Sequence, residues 1–287
     1  MRDAAQGRLA VGFFDGVHLG HQAILKGADA ALTFSVHPLS VLTPDRAPCL
    51  IMSLEERIAA IRSCGVREVR VLDFTRELAD TAPEAFLRTL AGADVGGRPT
   101  VRCGDNWRFG KGGAGDADFL RAHGFGVEVV PYADYRGARI SSSRIRLCLA
   151  EGRVGEANAM LGRPYAVRGE VVRGKGLGGT IGFPTLNIRP SRPLNLRTGV
   201  YAVRVAGVPG VANYGLAPTM GDCAWTEPVL EVHLLEGPVP EGGCGAVEFA
   251  RFLRAERKFA SLEELKRQIS EDCENARGDT GKEAEDE

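Results

Sequence analysis

The sequence has little that would mark it for a membrane, an oxidising compartment or a polyanion. Its seven cysteines are an odd number, and none stands in a C-x-x-C spacing; Cys49 and Cys64 are the nearest pair, 15 residues apart. That pattern gives no zinc ribbon and no disulfide frame, so the cysteines read as reduced, structural residues of a cytoplasmic protein. No apolar run approaches the roughly 18 residues of a membrane span, and no signal-peptide pattern opens the chain. Neither sign of charge dominates, with 36 Lys and Arg against 37 Asp and Glu. A bulk field for nucleic acid or for a lipid surface is therefore absent. Aromatic residues make up 7% of the chain, which leaves few platforms for stacking a nucleic-acid strand. Small molecules remain as partners, and any phosphate recognition must be local. Oligomeric state is left open.

What is present is enough for two domains: 287 residues, 44% of them hydrophobic. The first half alternates strand-like and helix-like segments. Leu9-Ala10-Val11, Leu32-Thr33-Phe34, Val69 to Phe74, Val101-Arg102-Cys103 and Val127 to Tyr132 read as strands. Ser53 with Glu56 gives a capping-box signature, followed by Leu54, Ile58 and Ile61 at helical spacing. Thr81, Pro83 and Glu84 open another helix. Such alternation implies a mostly parallel sheet with helices on both faces.

The pattern changes between Gly152 and Gly162, which reads as a linker. Glycine-punctuated strands follow: Ala166 to Arg173, Val200 to Val205, Val229 to Leu235 and Ala246 to Leu253. With few helices between them, an antiparallel barrel is the natural reading. A helix capped by Ser261 and Glu264 closes the chain, with Leu262, Leu265, Ile269 and Cys273 on one face. The expected domains are therefore residues 1–152 and 153–277, with 278–287 as an acidic, disordered tail.

Chemistry concentrates at a few places. Gly12-Phe13-Phe14-Asp15-Gly16-Val17-His18-Leu19-Gly20-His21 is a strand–turn–helix corner with two histidines three apart. Glycines let the backbone approach a ligand, helix N–H groups face an anion, and imidazoles can donate to phosphate oxygens. Ile140-Ser141-Ser142-Ser143-Arg144-Ile145-Arg146 offers an N-cap, two hydroxyls in the first turn and two guanidinium groups, all suited to phosphate. In the second half, the glycine-rich stretch from Gly169 to Asn187 suits close approach to phosphates. Thr185 and Asn187 present two hard oxygens on one side of an extended segment, as Mg²⁺ requires. Alone, each of these also fits an ordinary turn, capped helix or hairpin loop.

Together these residues resemble the bacterial bifunctional riboflavin kinase/FMN adenylyltransferase (FAD synthetase) family. The resemblance rests on the run at 12–22, Thr33-Phe34 with His37-Pro38, the loop from Gly104 to Gly110 with Lys111, and ISSSRIR at 140–146. It continues through LGRPY at 161–165, GFPT-x-N at 182–187, GVYAV at 199–203 and the stretch from Arg251 to Phe259, so that it covers most of residues 9–277. It implies a nucleotidyltransferase-like α/β domain followed by a riboflavin kinase barrel. The family phosphorylates riboflavin to FMN and joins FMN to ATP to give FAD and pyrophosphate, with Mg²⁺ accompanying ATP.

By the same resemblance, His18 and His21 stabilise charge on the phosphates. Gly12, Phe14, Asp15, Gly20, Ser142, Arg144 and Arg146 bind the nucleotide in the first half, and Gly174 and Gly182 do so in the second. Asn106, Trp107 and Phe109 lie near the flavin or nucleotide. Thr185 and Asn187 hold the metal, and Glu231 is the general base. Glu231 sits in an apolar strand pattern, with His233 on the same face read as structural. The stretch from Arg251 to Lys258 reads as a solvated face.

The chain departs from the family pattern at three points. Ser35 replaces a family carboxylate, and Gly178-Gly179 stands where the family carries an arginine, with Lys175 the nearest substitute. Only eleven residues separate His21 from Thr33, so the first helix is expected to be about two turns long. Two other readings stay open: a working kinase with a weakened or lost adenylyltransferase, and a flavin- or nucleotide-binding regulator that turns over neither substrate.

Overall fold

A computed structural model describes residues 7–92, 98–172, 179, 181–215, 228–237 and 245–277. The chain divides into two compact units, Met1–Arg144 and Ile145–Glu287.

Strand periodicity explains the first unit. β1 (Arg8–Val11) is buried at its last three residues, and β2 (Ala30–Phe34) at its first four. Because successive side chains alternate between faces, Leu9, Val11, Ala30 and Leu32 enter one core layer, while Ala10 and Ala31 enter the other. The first layer is filled by Phe86 and Leu90 of α5 (Pro83–Ala91) and Leu120 of α6 (Ala117–Ala122). The second is filled by Ile24 and Leu25 of α1 (Leu19–Leu25) and Ile61 of α3 (Leu54–Ser63). β3 (Glu68–Leu72), β4 (Thr100–Gly104) and β5 (Gly126–Val130) complete a parallel sheet in the order β3-β2-β1-β4-β5.

The capping box at Ser53 forms as the sequence reads: Ser53 N–H donates to the Glu56 carboxylate at 2.7 Å, and Glu56 N–H to the Ser53 hydroxyl at 3.2 Å. α1 has seven residues, the short crossover that the spacing requires. Several short elements carry no strong periodicity and are not read from the sequence: α2 (Pro38–Leu42), α4 (Arg76–Ala79), α6, and the hairpin of β6 (Asp134–Tyr135) with β7 (Ala138–Arg139).

α7 (Ser142–Ala150) crosses the division between the units. The segment expected as a linker is instead α8 (Val154–Leu161), ended by Gly162 in the left-handed conformation. Val154, Ala157, Met160 and Leu161 are buried at helical spacing. The Asn158 side chain locks this helix to the barrel: its amide donates to Phe249 O at 2.8 Å, and its carbonyl accepts from Tyr165 N–H at 2.7 Å.

The second unit is a closed antiparallel barrel in the order β10-β11-β12-β9-β8-β13. Its strands are β8 (Tyr165–Val172), β9 (Leu186–Pro190), β10 (Gly199–Val205), β11 (Val208–Gly215), β12 (Val229–Leu234) and β13 (Ala246–Arg254). β9 and β11 are the two that the apolar patterning misses; Asn187, Arg189, Pro209, Gly210 and Asn213 interrupt them.

Helix α9 (Leu262–Arg277) covers the outside of the barrel. Cys273 and Ala276 pack with Val200, Ala202 and Val211. The expected apolar stripe is only part of its buried face, because Gln268 and Asp272 are buried too. Arg254 explains this: its guanidinium donates to both oxygens of the Asp272 carboxylate at 2.8–3.1 Å, and Gln268 donates to one of them at 3.1 Å. Arg254 is thus a partner of α9, which corrects its reading as part of a solvated face.

Candidate active site

An open α/β sheet binds ligands beyond the carboxyl ends of its strands, where strand order reverses. In the first unit that point lies between β1 and β4, the two central neighbours. The residues leaving β1 form the corner from Gly12 to His18. Phe14 and Val17 take positive φ angles of 59° and 40°, either side of Gly16 at 81°. A β-branched residue in that region is strained, and strain of this kind is held where the chain must turn sharply. The corner delivers His18 as the N-cap of α1, with its ring Nδ1 accepting from His21 N–H at 3.3 Å.

The two imidazoles stack, with ring centroids 3.6 Å apart and planes 17° from parallel. Phe14 meets the His21 ring edge-on at 5.4 Å. Burial first, and the neighbouring His18 second, lower the His21 pKa well below the usual histidine value. His21 is therefore neutral at pH 7, and its Nδ1 is buried with no hydrogen-bond partner. Gly20 makes room for the pair: a Cβ there would fall 3.2 Å from Cε1 of His18.

The serine–arginine element joins this corner. Ser142 donates its hydroxyl to Asp15 O at 2.9 Å, and Ser141 caps α7 by accepting from Arg144 N–H at 3.3 Å. The Arg144 guanidinium is partly taken up by the neighbouring hairpin, with Nη1 donating to Ala138 O at 2.7 Å and Tyr135 O at 3.0 Å. Arg146 follows two residues later, so the two guanidinium groups leave the helix from different sides. Arg146 belongs to the second unit, where its carbonyl accepts from Asn195 at 2.8 Å.

Other expected binding residues have contacts within the protein. Phe14 is buried against Gly12 and His21. Asp15 is buried, and its carboxylate accepts from Ile51 N–H at 3.0 Å. Phe109 is a core residue, 6% exposed and packed among Phe86, Trp107 and Phe119. Trp107 lies over it, while Asn106 is exposed at the end of β4.

One residue escapes the sequence reading altogether. Arg57 of α3 is 1% exposed. Its Nη2 donates to Phe34 O at 2.5 Å, and its guanidinium lies 4.0 Å from the centroid of the Phe13 ring. Nε and Nη1 are buried without partners. Burial lowers its pKa to about 10, against the pull of the Asp15 carboxylate. A charged residue in the first turns of a capped helix reads as solvated, so only the fold reveals this buried cation beside the corner.

In the second unit the candidate residues lie on one row of the barrel. Asn187 of β9 pairs with Glu231 of β12, and Glu231 pairs with Asn213 of β11. Paired residues share a face. Leu230 and Val232, on the opposite face, are wholly buried, so the row lies on the outer side of the barrel. Burial first, then the charge of Glu256, raise the Glu231 pKa. Thr185 is exposed just before β9. His233 steadies that turn: its Nδ1 lies 2.8 Å from Pro184 O, and its ring meets Phe183 edge-on. Gly182 has a φ of 93°, a conformation that favours glycine. Gly174, Lys175 and Gly178 lie outside the described residues. Among the described residues, no group of three His, Cys, Asp or Glu side chains is placed to hold a metal ion. Thr185 and Asn187 carry hard oxygens, the donor type that a divalent ion takes alongside water and phosphate.

The comparisons with known proteins divide the chain in the same two parts. The FAD synthetase family model matches residues 2–144, and the riboflavin kinase model residues 161–279. A bifunctional riboflavin kinase/FMN adenylyltransferase from Escherichia coli (strain K12) is 36% identical, over 94% of this chain and 91% of its own length. One from Bacillus subtilis (strain 168) is 34% identical, over 96% and 92%. Among solved structures, a crystal structure described as a macrolide-efflux protein from Streptococcus pneumoniae matches with a TM-score of 0.82 and 28% identity, over 95% of this chain and 94% of its own. Among the described residues, no helix is long and apolar enough to cross a membrane. With a FAD synthetase domain followed by a riboflavin kinase domain, the chain belongs to the bifunctional riboflavin kinase/FMN adenylyltransferase family.

Proposed function

We propose that this protein uses ATP twice, in the cytoplasm, to convert riboflavin to FMN and FMN to FAD. The adenylyl transfer is assigned to residues 1–152 and the phosphorylation to residues 153–277. The observation that carries this reading is the presence in one chain of two separate constellations, the stacked His18–His21 pair and the Asn187–Glu231–Asn213 row.

In the first unit, a phosphate oxygen of FMN attacks the α-phosphorus of ATP, and pyrophosphate leaves. No covalent nucleophile is needed; positioning and charge stabilisation lower the barrier. His18 and His21 donate hydrogen bonds to the phosphates. Because His21 is neutral, it contributes a dipole and not a net charge. Ser142 sets the start of α7 against the same corner, Arg144 supplies positive charge in the same element, and Arg146 is read as a further nucleotide-binding residue. Gly12 and Gly20 keep the backbone close, and Asn106 lies on the flavin or nucleotide side.

In the second unit, Glu231 accepts the proton of the riboflavin 5′-hydroxyl as that oxygen attacks the γ-phosphorus of ATP, and ADP leaves. Its raised pKa makes it a stronger base than an exposed glutamate. Thr185 and Asn187 hold Mg²⁺, which offsets phosphate charge when bound. Gly182 and, by resemblance, Gly174 are read as ATP-binding residues. The partners are riboflavin, FMN, FAD and ATP, with no role for nucleic acid or membrane.

Product analysis tests this. Incubated with riboflavin and Mg-ATP, the protein is expected to give FMN and then FAD; started from FMN, it gives FAD and pyrophosphate. Flavin that stops at FMN in both assays overturns the adenylyltransferase assignment. A kinase-only enzyme is the second reading. It is favoured by Arg57: Nη2 lies 3.5 Å from Ser35 O, where the family carries a carboxylate, and Nε and Nη1 are buried without partners.

A further inference from the structure

The barrel row carries one acidic neighbour that the phosphorylation step does not use. Glu256 follows β13 in the stretch from Arg251 to Phe259 and is exposed. Its carboxylate lies directly over Gly215, the last residue of β11. A Cβ on Gly215 would fall 1.9 Å from Oε1 and 2.9 Å from Oε2. No other residue type leaves that space, so the bare glycine is what admits the carboxylate.

Two residues back on the same face of β11, Asn213 donates from Nδ2 to Glu256 Oε1 at 3.4 Å. The oxygen of the same amide, Oδ1, is buried and has no hydrogen-bond partner. Asn213 is also the cross-strand partner of Glu231. The proposed base therefore stands beside a carboxylate and an amide whose hydrogen-bonding capacity the protein leaves largely unmet.

The geometry points to Glu256, steadied by Asn213, as a substrate-positioning residue that accepts hydrogen bonds from the polyhydroxyl side chain of the flavin and so presents its terminal hydroxyl to Glu231. This rests on the kinase reading above. The chemistry favours a polyol over an anion or a cation. Phosphate would be repelled by two carboxylates, whereas hydroxyls are donors that match a carboxylate with a free oxygen. A buried, unmet amide oxygen costs free energy until a donor reaches it, and a row of hydroxyls supplies one.

The test compares riboflavin with lumiflavin, which has the same ring system but a methyl group in place of the polyol. In E256Q the Kd for riboflavin, read by flavin fluorescence, should rise about tenfold, while that for lumiflavin stays unchanged. The KM for riboflavin should rise in step, and kcat should fall by less than KM rises, because Glu256 holds the non-reacting hydroxyls and acts on the terminal one only through them. E256A should follow the same pattern more strongly. Equal weakening of both flavins, or of neither, overturns the inference. FMN adenylylation in the same preparation and the melting temperature show whether the variants fold. A wild-type chain that binds riboflavin but does not phosphorylate it brings down the kinase reading, and the inference with it. A working wild type with an unselective variant brings down the inference alone.

Discussion

The two units meet phosphate chemistry with opposite means. The first places two stacked imidazoles, a serine-capped helix start and a buried guanidinium at the ends of parallel strands, where the proposed reaction brings two negatively charged substrates together. The second places carboxylates and amides on the outer face of a barrel, where the proposed reaction takes a proton from a neutral hydroxyl. The contrast follows from the nucleophile: a phosphate is already ionised and needs no base, whereas an alcohol needs one. It also follows from the scaffold. A parallel sheet offers a crevice at its switch point, while an antiparallel barrel offers rows of paired side chains.

Removing the base should have the largest effect. Glu231→Gln is expected to lower riboflavin phosphorylation by about 10²–10⁴-fold, leaving FAD formation from FMN intact. A steady-state assay of each step checks this, and a kinase rate within tenfold of wild type would remove Glu231 as base. His21→Ala should lower FMN adenylylation by about 10²–10³-fold, with FMN formation unchanged. Equal loss of both activities would erase the distinction between the units.

Arg57→Met sharpens the comparison further. It removes a buried cation and its hydrogen bond to Phe34 O while retaining much of the side-chain volume. We expect adenylylation to fall about tenfold and kinase activity to persist, as follows from the loss of one charged contact of about 1.5 kcal/mol. Initial rates of pyrophosphate release give the readout.

The smallest effect is on stability. His21 has a folded-state pKa below its unfolded value of about 6.5. The unfolded chain then binds a proton that the native state refuses, so stability is full above that value and declines as pH falls below it. Denaturant midpoints measured between pH 7.5 and 5 should fall less steeply in His21→Asn than in wild type; parallel slopes would contradict a neutral, buried His21.

Legibility differed between the units for physical reasons. The parallel sheet announces itself through apolar triplets such as Leu9-Ala10-Val11, buried on both faces. The Ser53 capping box and the short α1 could be read from residue type and spacing alone. Barrel strands β9 and β11 could not, because the polar residues that make the row, Asn187 and Asn213, break their apolar pattern. The same conflict hid α8 behind the glycines that flank it. At the sites, His18, His21 and Ser142 were legible as a motif, and the fold brings them together. Arg57 and Glu256 were not. A charged side chain in a polar stretch carries no sign of burial, and only the approach of distant segments gives these two their surroundings.

Mixing two variants tests the independence of the sites most directly. His21→Ala keeps the base row, and Glu231→Gln keeps the imidazole pair. Given riboflavin and Mg-ATP, the first alone should stop at FMN and the second alone should leave riboflavin unchanged. Combined in one tube, they should produce FAD. A mixture that yields no FAD, or a His21→Ala protein that forms no FMN, would contradict the account.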